Sequence, residues 1–398
     1  MRVEFYQGCY YALIPKCCLS AKISNYTVMK MKKYRCPLNN VHQLPFPRLS
    51  KRVCQHLITT LIILFCSLSW CFAATKPFSS WTELIYAANA GNPKVVKKLV
   101  NRGVNIHARD EDRRTALMLA AWHGHTPIVN FLLSKGARIG ARDSSGLTAL
   151  IWAARGGYAD TIEHLLKQGA NVNATDKKGN SALIWAIKRD YIEAVKLVLA
   201  HGADINQRDK NGWSPLIIAL QQRHINLAIE LVALGSDIGL RDKQGHSPLW
   251  YAMRFGLIPV IDQLLPLTQT INATDSEGQT LLHQAAQLGL DQVIHRLIMK
   301  RPDIHILSKQ GNTPFMIAAA YGQNTTLKIL LDHNSQIDQR NHLGNTALHL
   351  AAEAGHIDTV RFLLQNNSAA NIQNRQGERA YKLAEREKHH KIAQLLRQ

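Results

Sequence analysis

The pattern of apolar residues between positions 143 and 175 predicts two short amphipathic helices. Each helix carries its apolar side chains at the i, i+3, i+4 spacing that places them on one face. These side chains are Leu150, Ala153 and Ala154 in the first helix and Ile162, Leu165 and Leu166 in the second. Because a unit of this size cannot bury its apolar stripe alone, it must lie against a second copy of itself.

Turn and capping residues set the ends of both predicted helices. Gly146 lies in the polar sequence Asp-Ser-Ser-Gly, which is typical of a turn. The Thr148 hydroxyl can cap the first helix, and Gly156 with Gly157 ends it. Gly169 stands where the second helix needs a residue in the left-handed conformation. The predicted unit is therefore a turn, a short helix, a second turn, a longer helix and a loop.

The same turn recurs every 33 residues without an insertion. Its first residues are Asp110, Asp143, Asp176, Asp209, Asp242, Asp275, Ser308, Asn341 and Asn374. A less regular unit begins one period earlier, near Pro77, which makes ten units up to the last residue, 398. Such a period indicates a stacked array rather than a closed globule. We number these units repeats 1 to 10, so that repeat 2 begins at Asp110.

Residues at equivalent positions explain why the period is strict. One position is alanine in all ten repeats: Ala87, Ala120, Ala153, Ala186, Ala219, Ala252, Ala285, Ala318, Ala351 and Ala384. A methyl group fits there if neighbouring helices approach closely. A large apolar residue recurs three residues earlier, from Leu117 to Tyr381, and another recurs in the second helix, from Leu99 to Leu396. Every repeat therefore presents the same apolar side chains to the next.

The repeated pattern D-x-x-G-x-T-x-L-x-x-A-A-x-x-G, followed by a Leu-Leu helix and G-A-x-x-N, resembles the ankyrin repeat. Representative segments are DSSGLTALIWAARGG with KQGANVNAT, DKNGWSPLIIAL with AHGADINQR, and HLGNTALHLAAEAGH. The resemblance covers residues 77–398. It implies an all-α solenoid of paired antiparallel helices with short hairpin tips. It also implies protein binding through the tips and the first helices, without catalysis.

Several repeats depart from this pattern where a glycine is expected. Arg113, Asp190 and Arg223 each replace such a glycine. Thr268 and Arg301 stand where the second helix of repeats 6 and 7 should end in a left-handed residue. Because neither threonine nor arginine takes that conformation cheaply, we expect an altered loop in both repeats, at which the solenoid could bend.

The ends of the chain complete the predicted organisation. Residues 75–109 form an N-terminal capping repeat, 110–373 form eight repeats, and 374–398 form a charged C-terminal capping repeat. Residues 1–50 are an N-terminal extension that is expected to be unstructured. It is either a basic arm, or a presequence or upstream extension from a misplaced start codon, and the second interpretation is favoured. All seven cysteines lie at or before Cys71, so residues 75–398 contain no thiol for a disulfide, a nucleophile or a zinc site.

Residues 51–74 have the pattern of a secretory signal peptide. Lys51 and Arg52 precede an apolar run of 16 residues, 57–72, and Ala73 supplies a small residue for signal peptidase. The run is shorter than the roughly 20 residues that a spanning helix needs, although an uncleaved anchor is the alternative. Because the basic flank stays inside, both interpretations place the repeats outside the cytoplasm. We therefore expect an exported, periplasmic or secreted protein, with bacterial origin favoured, or a membrane-anchored one.

The formal net charge is +20, and some of the basic residues recur at the same position of the repeat. Ten of the 48 Lys/Arg and one of the 28 Asp/Glu lie in residues 1–74, which leaves +11 on the remainder. The position before the tip holds Arg109, Arg142, Arg208, Arg241 and Arg340, and we call this set the basic tip edge. It either binds an anionic partner or membrane surface, or is only a solvated edge; the second interpretation is favoured.

The C-terminal ends of the first helices face the inner curve in the ankyrin family, and we call this surface the concave strip. Its candidate partner-binding residues are Trp122, His123, Arg155, Lys188, Arg189, Arg254, Phe255 and Tyr321. These positions differ from repeat to repeat, as in a recognition surface, and carry residue types that dominate interface energy. The alternative is that they are merely exposed. Trp152 and Trp185, by contrast, replace a packing leucine and are expected in the core.

Signatures of catalysis and metal binding are missing from the sequence. It contains no phosphate-binding loop, no H-E-x-x-H and no G-x-S-x-G. His283 and His349, which keep a histidine of the ankyrin pattern, lie two repeats apart and are not expected to bind a metal. We expect a monomeric, non-enzymatic scaffold with a protein partner, and no cofactor, small-molecule substrate or specific nucleic acid. An enzyme with an unrecognised site is the remote alternative.

Overall fold

The repeats form ten pairs of helices in a computed structural model, which describes residues 82–397. Within this range there is no strand; one isolated β-bridge joins Thr175 and Ser181. The predicted N-terminal extension (1–50) and signal peptide (51–74) lie outside the described residues. The all-α repeat solenoid expected from the sequence is confirmed.

The helices follow the predicted order in every repeat. The first helices are Glu83–Asn89, Ala116–Trp122, Ala149–Gly156, Ala182–Lys188, Pro215–Gln221, Pro248–Arg254, Leu281–Leu288, Pro314–Ala320, Ala347–Ala354 and Ala380–Arg386. The second helices are Pro93–Asn101, Thr126–Ser134, Ala159–Lys167, Ile192–Ala200, Ile225–Ala233, Ile258–Leu267, Asp291–Met299, Asn324–Asp332, Ile357–Gln365 and His390–Arg397. Each first helix packs against the first helix of the next repeat and against the second helix of its own repeat.

The capping residues of repeat 3 act as the sequence predicts. The Ile151 amide donates to the Thr148 hydroxyl at 3.3 Å, which satisfies one of the free amides of the first turn. Gly157 ends the first helix with φ of 78°, and Gly169 follows the second helix with φ of 84°. Both glycines occupy the left-handed region, in which a side chain would be strained.

The core is one continuous cluster that runs through all ten repeats. The alanine present in every repeat is at most 4% exposed throughout, so its methyl group lies between closely packed first helices. Leucines that flank it, such as Leu150 and Leu183, are likewise buried. Burying one such leucine contributes about 1.5–3 kcal/mol, and the same contribution recurs at each interface between repeats.

Backbone hydrogen bonds connect the hairpin tips to one another. Within the tip of repeat 3, the Asp143 amide donates to the Leu147 carbonyl at 3.1 Å. Between repeats, the Ser144 amide donates to the Asp112 carbonyl at 2.7 Å, and the Lys177 amide donates to the Ser145 carbonyl at 2.9 Å. The tips therefore form a hydrogen-bonded row along one edge of the helix stack.

The expected change in repeats 6 and 7 occurs in only one of them. In repeat 6 the second helix continues to Leu267, and Thr268 is extended, with φ of −69°. In repeat 7 Arg301 takes the left-handed conformation itself, with φ of 52°. The prediction was right for Thr268 and wrong for Arg301, because packing of the flanking helices outweighs the local cost of about 1–2 kcal/mol.

Candidate functional site

The ends of the first helices are set by the same local rule in each repeat. A serine or threonine precedes the first helix in repeats 1 to 9, as Thr115 and Ser181 do with a capping hydroxyl, whereas Arg379 stands there in repeat 10. A left-handed residue follows the end of every first helix. Because these fixed points leave a helix of two turns, the last residues of the helix project from the core. The concave strip therefore presents variable side chains on a constant frame.

Tryptophan rings pack against one another at the N-terminal part of the concave strip. The rings of Trp122 and Trp152 lie 4.7 Å apart, centroid to centroid. Trp152 is only 6% exposed, and its indole N–H donates to Asp143 Oδ2 at 3.1 Å. Trp185 is half-buried and donates in the same way to Asp176 Oδ2 at 3.0 Å. The expectation of a core position holds fully for Trp152 and only partly for Trp185.

Cations stack on these rings. The Arg155 guanidinium lies 5.0 Å from the ring centroid of Trp152 and 4.8 Å from that of Trp185. Lys188 Nζ lies 5.5 Å from the Trp185 ring and donates to Asn180 Oδ1 at 2.6 Å. Burial, which removes the ammonium from water, lowers the pKa of Lys188. The structure thus brings Arg155 and Lys188 together around a tryptophan that was assigned only to packing.

A second aromatic and basic group lies in repeats 5 and 6. Arg254 stacks on Trp250 at 5.1 Å, and Arg223 stacks on Phe255 at 5.3 Å. Arg223 adjoins the concave strip although sequence reasoning treated it only as a replaced glycine. The signal in the sequence was a long cationic side chain at a position that is glycine in most repeats; in the structure its backbone is left-handed, with φ of 60°, which is uncommon for a residue other than glycine.

The remaining candidates lie at both ends of the strip and between the two groups. His123 Nε2 is 3.0 Å from Asn89 Oδ1, and burial, followed by the nearby His125, lowers the pKa of His123. Arg189 is exposed beyond Lys188. Tyr321 is 51% exposed and occupies the register of Phe255 two repeats further on.

The basic tip edge makes contacts that its sequence pattern did not reveal. Arg109 Nη1 donates to the Arg142 carbonyl of the next repeat at 2.8 Å, and Arg142 donates likewise to the Thr175 carbonyl. Arg208 and Arg340 also reach carbonyls of the next repeat, whereas Arg241 Nη1 donates to the Gly245 carbonyl of its own tip at 2.7 Å. Four of these five arginines therefore join neighbouring tips to one another.

Residues 82–397 show neither a metal site nor a membrane-spanning helix. No group of three or more His, Cys, Asp or Glu in this range has the arrangement of a metal site. Nor does any helix in the same range combine the length and the hydrophobicity that crossing a bilayer requires. Stacked cations, exposed aromatic rings and hydrogen-bond donors are groups that can recognise a partner.

The fold and this surface define a helical repeat protein with a variable face on a constant frame. The chain belongs to the ankyrin repeat family: the family model described as "Ankyrin repeats (3 copies)" matches it over successive segments. The matched segments are 56–143, 140–209, 202–275, 259–341, 282–375 and 315–398. Ankyrin repeats generally mediate protein–protein interaction and are typically not enzymes. The comparison with curated proteins gave no match.

Proposed function

We propose that the chain is a monomeric, non-enzymatic scaffold that binds a protein partner through the concave strip and the hairpin tips. The observation that supports this most is the contrast between two sets of positions. The alanine column is constant and buried, whereas the strip carries varied aromatic and cationic side chains, several of them stacked. Such residues supply most of the energy of protein interfaces. The scaffold uses no cofactor or small-molecule substrate.

Substitution of the strip tests this proposal. The triple variant Arg155→Ala, Arg254→Ala and Phe255→Ala removes two cations and one ring from the strip. After crosslinking in the protein's own compartment, tagged full-length wild-type protein should retain a partner that the variant loses. A matched control, Lys328→Ala, Arg361→Ala and Ile258→Ala, removes two cations and an apolar group from exposed positions on second helices. Equal capture by all three proteins would show that the strip is not the binding face.

We also propose that the repeats are exported by the signal at residues 51–74. The basic residues and the apolar run described above support this, and the thiol-free repeats suit an oxidising compartment. The family match begins at residue 56, inside the signal, so a further helical unit of the array is the competing assignment. N-terminal sequencing of the natural protein should find a new start at Ala74 or Thr75. An intact segment 51–74 in a cytosolic protein would exclude export.

The alternative proposal is binding of a polyanion or an anionic membrane surface through the basic tip edge. Exposed guanidinium groups along one edge support it, but their contacts with backbone carbonyls already account for the arginines at these positions. Electrostatic binding of this kind collapses as salt increases. The alternative predicts retention on heparin stronger than that of a charge-matched control protein, and equal retention would end it.

A further inference from the structure

The concave strip is divided into a cationic part and an uncharged part. Repeats 3 to 6 place cations at the ends of the first helices or in the turns that follow: Arg155, Lys188, Arg189, Arg223 and Arg254. The turn of repeat 4 adds one carboxylate, Asp190, whose Oδ2 lies 3.7 Å from His224 Nδ1. The equivalent helix ends in repeats 7 and 8 carry Gln287, Leu288, Ala320 and Tyr321. Leu288 is 39% exposed and Tyr321 51%. The strip is therefore positively charged in repeats 3 to 6 and uncharged, with exposed apolar side chains, in repeats 7 and 8.

Aromatic rings hold the arginines of the cationic part in position. Arg155 lies between two indoles, Arg223 stacks on Phe255, and Arg254 stacks on Trp250. A stacked guanidinium has already lost much of its rotamer freedom, so binding costs less entropy. A guanidinium presents its N–H groups as a planar fork, the geometry that suits a carboxylate.

Lys188 adds a poorly solvated ammonium to this part. Its Nζ is held by Asn180 at 2.6 Å and lies over the Trp185 ring. An approaching negative charge is attracted more strongly to such a group than to a fully hydrated one, because the surroundings screen less.

The acidic groups behind the cations are already engaged. Asp143 and Asp176 are less than a tenth exposed, and each accepts hydrogen bonds from backbone amides and from an indole. Further along, Glu353 in repeat 9 pairs with Arg386 at 2.8 Å. Charge complementarity therefore favours a ligand that supplies acidic side chains at repeats 3 to 6.

We propose that the concave strip binds an extended acidic segment of a protein partner, with carboxylates over repeats 3 to 6 and an apolar side chain over repeats 7 and 8. This inference rests on the proposed function and specifies the chemistry of the partner. Packed helices lie about 8–10 Å apart, so Arg155 and Arg254 are separated by about 27 Å. An extended peptide covers that distance with about eight residues, and Tyr321 requires five or six more, at about 3.3 Å each.

Nucleic acid fits the same surface less well. Base stacking needs an exposed ring face, but Trp152 is buried, and Arg155 lies over both Trp152 and Trp185. A polyanion would also gain from cations beyond Arg254, where the strip instead presents Leu288 and Tyr321. An acidic segment followed by an apolar side chain matches both parts.

Fluorescence anisotropy with the full-length protein tests the inference. The probe is a labelled peptide of about fourteen residues, with about eight glutamates, a spacer of about four Gly and Ser residues, and a Leu-Phe pair. A second probe has the reverse order. Tight binding of either probe supports the inference, because the direction of the partner chain is not specified. Replacing the glutamates with glutamine, or Leu-Phe with serine, should weaken binding at least about tenfold.

Variants of the protein show which residues bind the glutamates of the probe and which bind its Leu-Phe pair. Arg155→Gln with Arg254→Gln should weaken the probe at least about tenfold, whereas Lys328→Gln with Arg361→Gln on second helices should leave it within about twofold. Tyr321→Ser should weaken the Leu-Phe probe but not its serine counterpart. Circular dichroism of each variant verifies that the helices are intact.

Three results would overturn the inference. One is equal binding of the glutamate and glutamine probes. Another is failure of both glutamate probes, and the third is tighter binding of a single-stranded oligonucleotide of equal charge, unaffected by Tyr321→Ser. If capture of a natural partner still depends on Arg155, Arg254 and Phe255, only the proposed chemistry has failed. If that capture is independent of them too, the proposed function has failed with it.

Discussion

Buried tip carboxylates orient buried aromatic residues that lie next to the concave strip. Asp143 Oδ1 accepts from the Leu147 amide at 2.9 Å, which leaves Oδ2 for the Trp152 indole. Asp242 accepts from the Tyr251 hydroxyl at 2.6 Å in the same register, and burial followed by this hydrogen bond raises the pKa of Tyr251. An aromatic donor nine residues after a tip aspartate was visible in the sequence, and it would have distinguished Trp152 from a simple packing residue.

A double-mutant cycle measures this contact. Trp152→Phe and Asp143→Asn, alone and together, should give a coupling free energy of about 1.5–3 kcal/mol in urea unfolding, because the bond has a charged acceptor. The ring and most of its packing remain in the phenylalanine variant, so the cycle isolates the hydrogen bond. A coupling below about 0.5 kcal/mol would mean that the carboxylate does not hold the indole.

Two buried histidines should make stability depend on pH. His283 and His349 cap their helices and contact a carbonyl of the next repeat, and burial lowers the pKa of both. They are therefore neutral in the folded chain when the unfolded chain begins to bind protons, near pH 6.5. Since the unfolded state then carries more protons, the free energy of unfolding falls as pH falls below that value.

Glutamine variants test the histidine prediction, because glutamine can also cap a helix. Between about pH 7.5 and 5.5, the double variant His283→Gln and His349→Gln should lose less stability in urea unfolding than the wild type. Each histidine accounts for at most about 1.4 kcal/mol per pH unit. Parallel profiles for the two proteins would contradict the assignment of neutral, buried imidazoles.

Helix ends show where local sequence rules succeed and where neighbouring helices override them. Glycines at the expected positions, such as Gly157 and Gly169, take the left-handed conformation. Arg223 and Arg301 take it as well, although it is unfavourable for arginine. The helices on either side of these residues pack in the same register as in other repeats, so the connection must adopt the geometry that the register requires. A local rule cannot include that constraint.

A pair of glycine substitutions separates the two kinds of helix end. Arg301→Gly should stabilise the protein by about 1 kcal/mol, because it relieves a left-handed arginine. Thr268→Gly should destabilise it, because Thr268 is extended and its hydroxyl donates to the Leu264 carbonyl at 2.9 Å. Thermal and urea unfolding measure both changes. Stabilisation by both substitutions, or by neither, would contradict the assigned conformations.

At the scale of the whole repeat array, the periodicity of the sequence predicts the architecture. It does not predict which surface side chains contact one another. The alanine column and the interval of 33 residues are sufficient to predict the order and pairing of the helices. The same regularity predicted a row of arginines but not their hydrogen-bond acceptors. Those acceptors are backbone carbonyls, which every residue carries and which a sequence therefore cannot distinguish. The stacking of Arg155 between Trp152 and Trp185 depends on helix spacing, which the sequence does not contain.

Site-directed photo-crosslinking along the whole array tests the binding surface most directly. A photoreactive residue is placed in the full-length protein at the exposed position Arg189 or Tyr321 of the concave strip, or at Lys328 or Arg361 on the second helices. Because the strip is proposed as the binding face, the strip positions should crosslink one protein partner and the second-helix positions should not. Crosslinks that form only from the second helices would contradict the central claim that the ends of the first helices recognise the partner.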